Sequence, residues 1–278
     1  MKTNNFFSIE RFALLYKKDF IEGWKTLLLR FVMLYAILAI IFCLIGHSEF
    51  EARLKHLGTE YYSDIFYLRF AAFIFWGFGC LFASLMMERM KDKTKRISYL
   101  MTPATSFEKF LSRFLLVVVL YIIAFFLAFK LADYTRIAIF SVRYAELQII
   151  PINLSMLYSG QGEVLANSWP AFIALFTSYL FFQSLFILGS ILWYKNPFIK
   201  TLAAGVIIVL VFVIVDSILV HSLFSDISIR TSVGDYIQEL AKQWLTKKNI
   251  IIFFSLLTLF NWSISYFRFK SSEIINRF

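Results

Sequence analysis

Four polar side chains interrupt long apolar stretches of this 278-residue chain: Arg69, Gln183, Asp216 and Asn261. A charge inside an apolar surrounding is costly, so Arg69 and Asp216 each demand protein, water or a partner of opposite sign. Ion pairing, or a place on a path for a polar solute, is the chemistry they offer. Gln183 and Asn261 are uncharged and offer hydrogen bonds between helices, worth about 1 kcal/mol each. No bond-making constellation accompanies them. There is no G-x-x-x-x-G-K-[ST] loop to cradle a nucleotide, no H-E-x-x-H pair for zinc and no G-x-S-x-G elbow for a serine nucleophile. His47, His56 and His221 are scattered without ligand spacing, so no catalytic residue, metal or cofactor is expected. Cys43 and Cys80 both fall within apolar runs and are expected as small packing residues rather than a disulfide. The N-x-[ST] matches at Asn153 and Asn261 carry no weight, the second lying inside an apolar run.

The elements that hold these residues are six apolar runs: Phe31 to Gly46, Ile65 to Met87, Phe110 to Ala132, Trp169 to Tyr194, Thr201 to His221 and Ile250 to Phe267. A helix of roughly 20 apolar residues crosses the ~30 Å hydrocarbon core of a bilayer. The first run is short unless Leu27, Leu28 and Leu29 join it, which makes Arg30 a snorkelling residue at the interface. The runs are continuous rather than alternating, which excludes barrel strands. Residues are 60% apolar, with 34 phenylalanines, a balance that leaves a soluble domain too little polar surface. The expected fold is an all-α integral membrane protein of one domain, residues 1–278. It has a polar segment 1–30, a six-span bundle 31–267 and a tail 268–278.

The formal net charge of +10 raises the question of nucleic acid, but the basic residues follow topology instead. Eighteen of the 28 lysines and arginines fall on one side if both termini are cytoplasmic, in short segments beside span ends. This is the positive-inside pattern, and it predicts a multi-pass protein of the plasma membrane with no nucleic-acid partner. The first thirty residues are polar without a small-residue cleavage site, so the first span is expected to direct insertion itself.

Ile9, Phe12, Tyr16, Phe20 and Trp24 recur every three or four residues, with Glu10, Lys17, Lys18 and Glu22 on other faces. The spacing predicts an amphipathic helix lying along the membrane surface before the first span, with Ser8 as its cap. Between the second and third runs, Arg89, Lys91, Lys93, Lys95 and Arg96 precede the apolar Tyr99, Leu100 and Met101, then Thr102 and Pro103. Thr105 and Glu108 make a capping box for the next helix, so this loop reads as helix, break, capped helix. Its competing role is a basic loop on anionic headgroups. Val233, Tyr236, Ile237, Leu240, Trp244 and Leu245 predict a second amphipathic helix between spans five and six, on the external side.

The run Ser-Tyr-Leu-Met-Thr-Pro-Ala-Thr-Ser-Phe-Glu-Lys-Phe at Ser98 to Phe110, behind a basic cluster and before an apolar span, resembles membrane subunits of type-2 ATP-binding-cassette (ABC) exporters. The resemblance implies an elbow helix, six spans, cytoplasmic termini and a coupling loop after the second span. It further implies a separate ABC ATPase chain docking near Tyr99, Leu100, Met101, Thr102 and Pro103, with Thr105 and Glu108 in the same loop, and a second permease copy or homologue. On this reading the chain is the non-enzymatic permease subunit of an ATP-driven exporter, and aspartate at Leu100 and Met101 uncouples transport. The 36-residue connection from Asp133 to Ser168 is longer than the resemblance implies. The alternatives are a membrane scaffold or assembly protein without an ATPase, and an ion-coupled secondary transporter, for which Asp216 is the one off-centre carboxylate.

Overall fold

The computed structural model describes residues 6–54, 63–144, 149–158, 166, 168–193, 195–223, 239 and 246–275. Among these residues all regular structure is helical. The helices are α1 (Ile9–Leu54), α2 (Ser63–Ser84), α3 (Lys93–Leu100), α4 (Ser106–Phe114), α5 (Leu120–Arg143), α6 (Trp169–Leu192), α7 (Pro197–Leu223) and α8 (Lys247–Ile275). Short 3₁₀ turns lie at Glu88–Met90 and Leu154–Leu157. A π-helical turn, Leu115–Val119, joins α4 to α5 in one column. Among the described residues six helical stretches are long and apolar enough to cross a membrane: α1, α2, the α4–α5 column, α6, α7 and α8. The chain is an all-α, multi-pass membrane protein.

The helices outrun the apolar runs of the sequence. α1 continues unbroken for 46 residues, spanning roughly 70 Å at ~1.5 Å per residue. Nothing between the amphipathic segment and the first span stops it: Gly23 is the one weak helix former there, and Lys25 to Arg30 contains no proline. α5 likewise passes Ala132 and ends at Arg143, shortening the connection that follows. The amphipathic helix expected around Val233 to Leu245 lies outside the described residues apart from Glu239.

Two apolar cores organise the bundle. One gathers Leu34, Leu38 and Phe42 of α1, Tyr67 and Leu68 of α2 and Phe125 and Phe129 of α5. The other, toward α3, gathers Met86, Met87 and Met90 with Tyr99, Phe110, Phe186 and Phe269. α6 packs most extensively on α8 and also lies against α2, while α1 runs along α5. Close approach is bought by small residues. A Cβ on Gly79 would overlap the Tyr179 hydroxyl between α2 and α6, and one on Gly189 would overlap Thr201 at the start of α7. The α6–α7 turn uses Asn196 at φ 52°, a left-handed conformation that asparagine tolerates, followed by Pro197 at the start of α7. No described side chain of α7 is buried; its start packs on α6, where Phe198 stacks on Phe186, and from Gly205 to Ile218 its described residues are exposed.

Candidate functional site

The loop after α2 folds as helix, break, capped helix. Asp92 caps α3 by accepting from the Thr94 N–H at 3.3 Å, and α3 stops at a turn where the Thr102 hydroxyl donates to the Ser98 carbonyl at 3.3 Å. Pro103 follows, and α4 opens with a complete capping box. The Glu108 N–H donates to Thr105 Oγ1 at 3.3 Å and the Thr105 N–H to Glu108 Oε2 at 3.0 Å.

Of the expected contact residues, the structure turns some outward and some inward. Met101 is 80% exposed, and Ile97, one helical turn earlier, is 49% exposed. Tyr99 is buried instead: its hydroxyl donates to the Lys109 carbonyl at 3.0 Å, and the Arg113 guanidinium lies 5.2 Å from its ring. Leu100 is half-buried and its carbonyl accepts from Lys109 Nζ at 2.9 Å. The reason is geometric, since residues two apart on a short helix face different ways. An eight-residue helix lying on the bundle must spend one side on packing.

The start of α1 clasps this loop. Glu108 is fully buried and accepts four bonds, from the Ser8 N–H, from Arg11 Nε and Nη2 at 2.7 and 2.8 Å, and from the Thr105 N–H. A bidentate arginine and two backbone donors satisfy the carboxylate, which is what allows a charge to be buried here. Further along, Asp19, 1% exposed, accepts from Ser112 Oγ and Arg113 Nη2, both at 2.8 Å. Lys18 donates to Thr102 Oγ1 at 3.3 Å, and Arg30 pairs with Glu88 at 2.7 Å. α8 closes the other flank, with Tyr266 and Phe269 against Phe107, Phe110 and Tyr99. Hence α1, α4 and α8 all grip the segment that carries Ile97 and Met101.

Between α1, the end of α2, α3 and the π-turn lies a cavity of about 860 Å³. Charged groups line part of it and alkyl groups the rest. The π-turn contributes Leu116 and Val117 to its wall, and such turns widen a helix locally.

At the opposite end of the bundle the structure assembles a second polar cluster. Asp133 and Arg136, one turn apart on α5 and 1% and 3% exposed, pair at 2.8 Å. Asp133 Oδ2 accepts from the Ile152 N–H at 3.0 Å, and Arg136 Nη2 donates to the Ile150 carbonyl at 2.8 Å. The guanidinium lies 4.9 Å from the Tyr67 ring, whose hydroxyl donates to Glu49 Oε2 at 3.2 Å. α1, α2, α5 and the segment at 150–152 are thereby tied together. Sequence reasoning placed these charges in or beside a loop, although Asp and Arg three apart at the end of an apolar run is a visible sign of a self-neutralising pair.

The four in-span polar residues are not brought together. Arg69 and Asp216 are both exposed, on α2 and α7, and no ion pair joins them. Asn261 of α8 donates to Ser184 Oγ of α6 at 2.9 Å, an interhelical bond of the expected kind. Gln183 is fully buried but bonds within α6, to the Tyr179 hydroxyl at 3.0 Å one turn back, and its Oε1 has no partner among the described residues. Among the described residues no three histidine, cysteine or carboxylate side chains group as a metal site. Compared with protein-family models, curated proteins and solved structures, the chain matches none of them.

Proposed function

We propose that this chain is the permease subunit of an ATP-driven transporter, resembling the type-2 ABC exporters, and that a separate ABC ATPase docks on the projection formed by α3 and the turn at Met101 to Thr105. Both termini are cytoplasmic, the membrane is the plasma membrane, and a second permease copy or homologue completes the pathway. The chain itself performs no chemistry. Its part is mechanical: closure of the ATPases pushes the projection, and the push tilts α1, α4–α5 and α8 together.

The observation that carries this reading is the clasp. A loop meant only to bind headgroups needs its charges; it does not need a buried carboxylate with four donors and a second buried ion pair fixing it to α1. A stiff projection with two apolar side chains, Ile97 and Met101, at its exposed side suits a protein that pushes on it. The apolar, unburied surface of α7 leaves room for a second copy.

The test is to tag the chain, extract it in mild detergent from its native membrane and identify what accompanies it. A stoichiometric soluble chain with a P-loop supports the permease reading. Repeated recovery alone, or only with membrane proteins lacking a P-loop, overturns it in favour of a scaffold or an ion-coupled transporter.

A further inference from the structure

The cavity at the α3 end has a head, a floor and a mouth of different chemistry. At its head, Arg30 and Arg113 lie near enough for each charge to act on the other. Each uses one nitrogen on a carboxylate, Nη2 of Arg30 on Glu88 and Nη2 of Arg113 on Asp19. A guanidinium has five N–H donors, so both retain donors for another acceptor. Asp19 is already engaged by Ser112 and Arg113. Four basic residues, Lys18, Arg30, Lys95 and Arg113, line the space against three acidic ones, Asp19, Glu22 and Glu88; Lys18 also pairs with Glu22 at 3.8 Å and Lys95 with Asp92 at 3.9 Å, so the capacity left over lies in the remaining N–H groups of Arg30 and Arg113.

The floor is alkyl, with Leu34, Leu116, Leu120 and Ala124. Phe20, Trp24 and Leu28, spaced four apart on α1, line the space while remaining 43%, 49% and 52% exposed, so they form its rim. A water-soluble anion gains nothing from an apolar rim or floor. An amphiphile entering sideways from a bilayer gains from both, because its tail crosses the rim and its head stops at the guanidiniums.

We propose that this cavity holds one membrane lipid of net negative charge, its phosphate on Arg30 and Arg113 and one acyl chain along Leu34, Leu120 and Ala124. Because Ser98 and Tyr99 of α3 line the same space, the lipid stiffens the projection from behind. The site does not rest on the transport reading, since it requires neither an ATPase nor a transported substrate.

The test uses the full chain in mild detergent, titrated separately with phosphatidylglycerol, phosphatidylcholine and inorganic phosphate, with bound lipid counted by native mass spectrometry. One phosphatidylglycerol per chain is expected, bound about tenfold more tightly than phosphatidylcholine, with inorganic phosphate failing to displace it. Arg30→Gln weakens the phosphatidylglycerol about tenfold, and Ala124→Phe, which fills the floor and leaves every charge in place, removes it. No retained lipid, equal retention of the two lipids, displacement by inorganic phosphate, or two variants that bind like the native chain would each overturn the proposal. The three-ligand comparison on the native chain decides the matter independently of how either variant folds.

Discussion

Each end of the bundle holds a buried aspartate paired with an arginine at 2.8 Å, yet the two pairs are built for different purposes. Asp133 and Arg136 are one turn apart on one helix, both sealed, with the arginine also on a ring and a backbone carbonyl. Asp19 and Arg113 sit on different helices, 94 residues apart, beside an 860 Å³ cavity and next to the Arg11–Glu108 pair, whose arginine is 36% exposed. Separating α1 from α4 at the α3 end means exchanging ion-pair partners beside available space; separating α1, α2 and α5 at the other end means exposing a dry network. If α3 is pushed as proposed, the helices are expected to hinge at the Arg136 end and open at the α3 end.

The largest effect tests that rigid end. Arg136→Leu strands Asp133 with the Ile152 N–H as its remaining donor and removes the ring contact to Tyr67. Loss of one partner of a buried pair costs about 3–5 kcal/mol, read as a marked fall in the unfolding temperature in detergent. An unchanged temperature would mean the two ends do not differ as described. Next comes Asp19→Asn, which keeps the shape and the Ser112 bond but removes the charge facing Arg113. A loss of about 2 kcal/mol is expected, again from thermal unfolding. Arg11→Gln follows with a smaller fall, because Glu108 keeps the Ser8 and Thr105 N–H groups and the arginine is partly in solvent. If Arg11 and Asp19 belong to one clasp, the double variant loses measurably less than the two singles together; strict additivity would show two independent contacts.

The difference between the ends also explains what could be read from the sequence. The spans were legible because apolar runs of that length have one use, and so was the loop, because Pro103, Thr105 and Glu108 encode break and cap locally, whereas the Asp92 cap of α3 came only with the structure. Counting residues across a bilayer, however, ended the third span at Ala132 and left Asp133 and Arg136 to the loop beyond. Their mutual neutralisation is what lets α5 continue to Arg143. The bonds from Arg11 to Glu108 and from Arg113 to Asp19 span 97 and 94 residues, and no local pattern announces them. Tyr99 and Met101 look alike in the sequence as apolar loop residues; packing against Phe269 and the Lys109 carbonyl separates them. The cavity belongs to the space between four elements and has no sequence signature at all.

The smallest effect on stability is the one that bears most on function. Met101 is 80% exposed, and only its backbone takes part in the turn, where its N–H donates to the Ile97 carbonyl at 3.0 Å. Met101→Asp should therefore change stability by no more than about 0.5 kcal/mol. A charge at the centre of an apolar contact weakens docking far more than that, so if the chain is the permease proposed above, the same variant is expected to lose its ATPase partner and ATP-driven transport while its unfolding temperature holds. Changing Leu100 as well, attractive from the sequence alone, blurs the result because that residue is half-buried against the bundle. Ile97→Asp, one turn back on the same exposed side, should reproduce the loss. If Met101→Asp retains its partner and full transport, the projection is not the docking surface, and the clasp beneath it serves the stability of the α3 end alone.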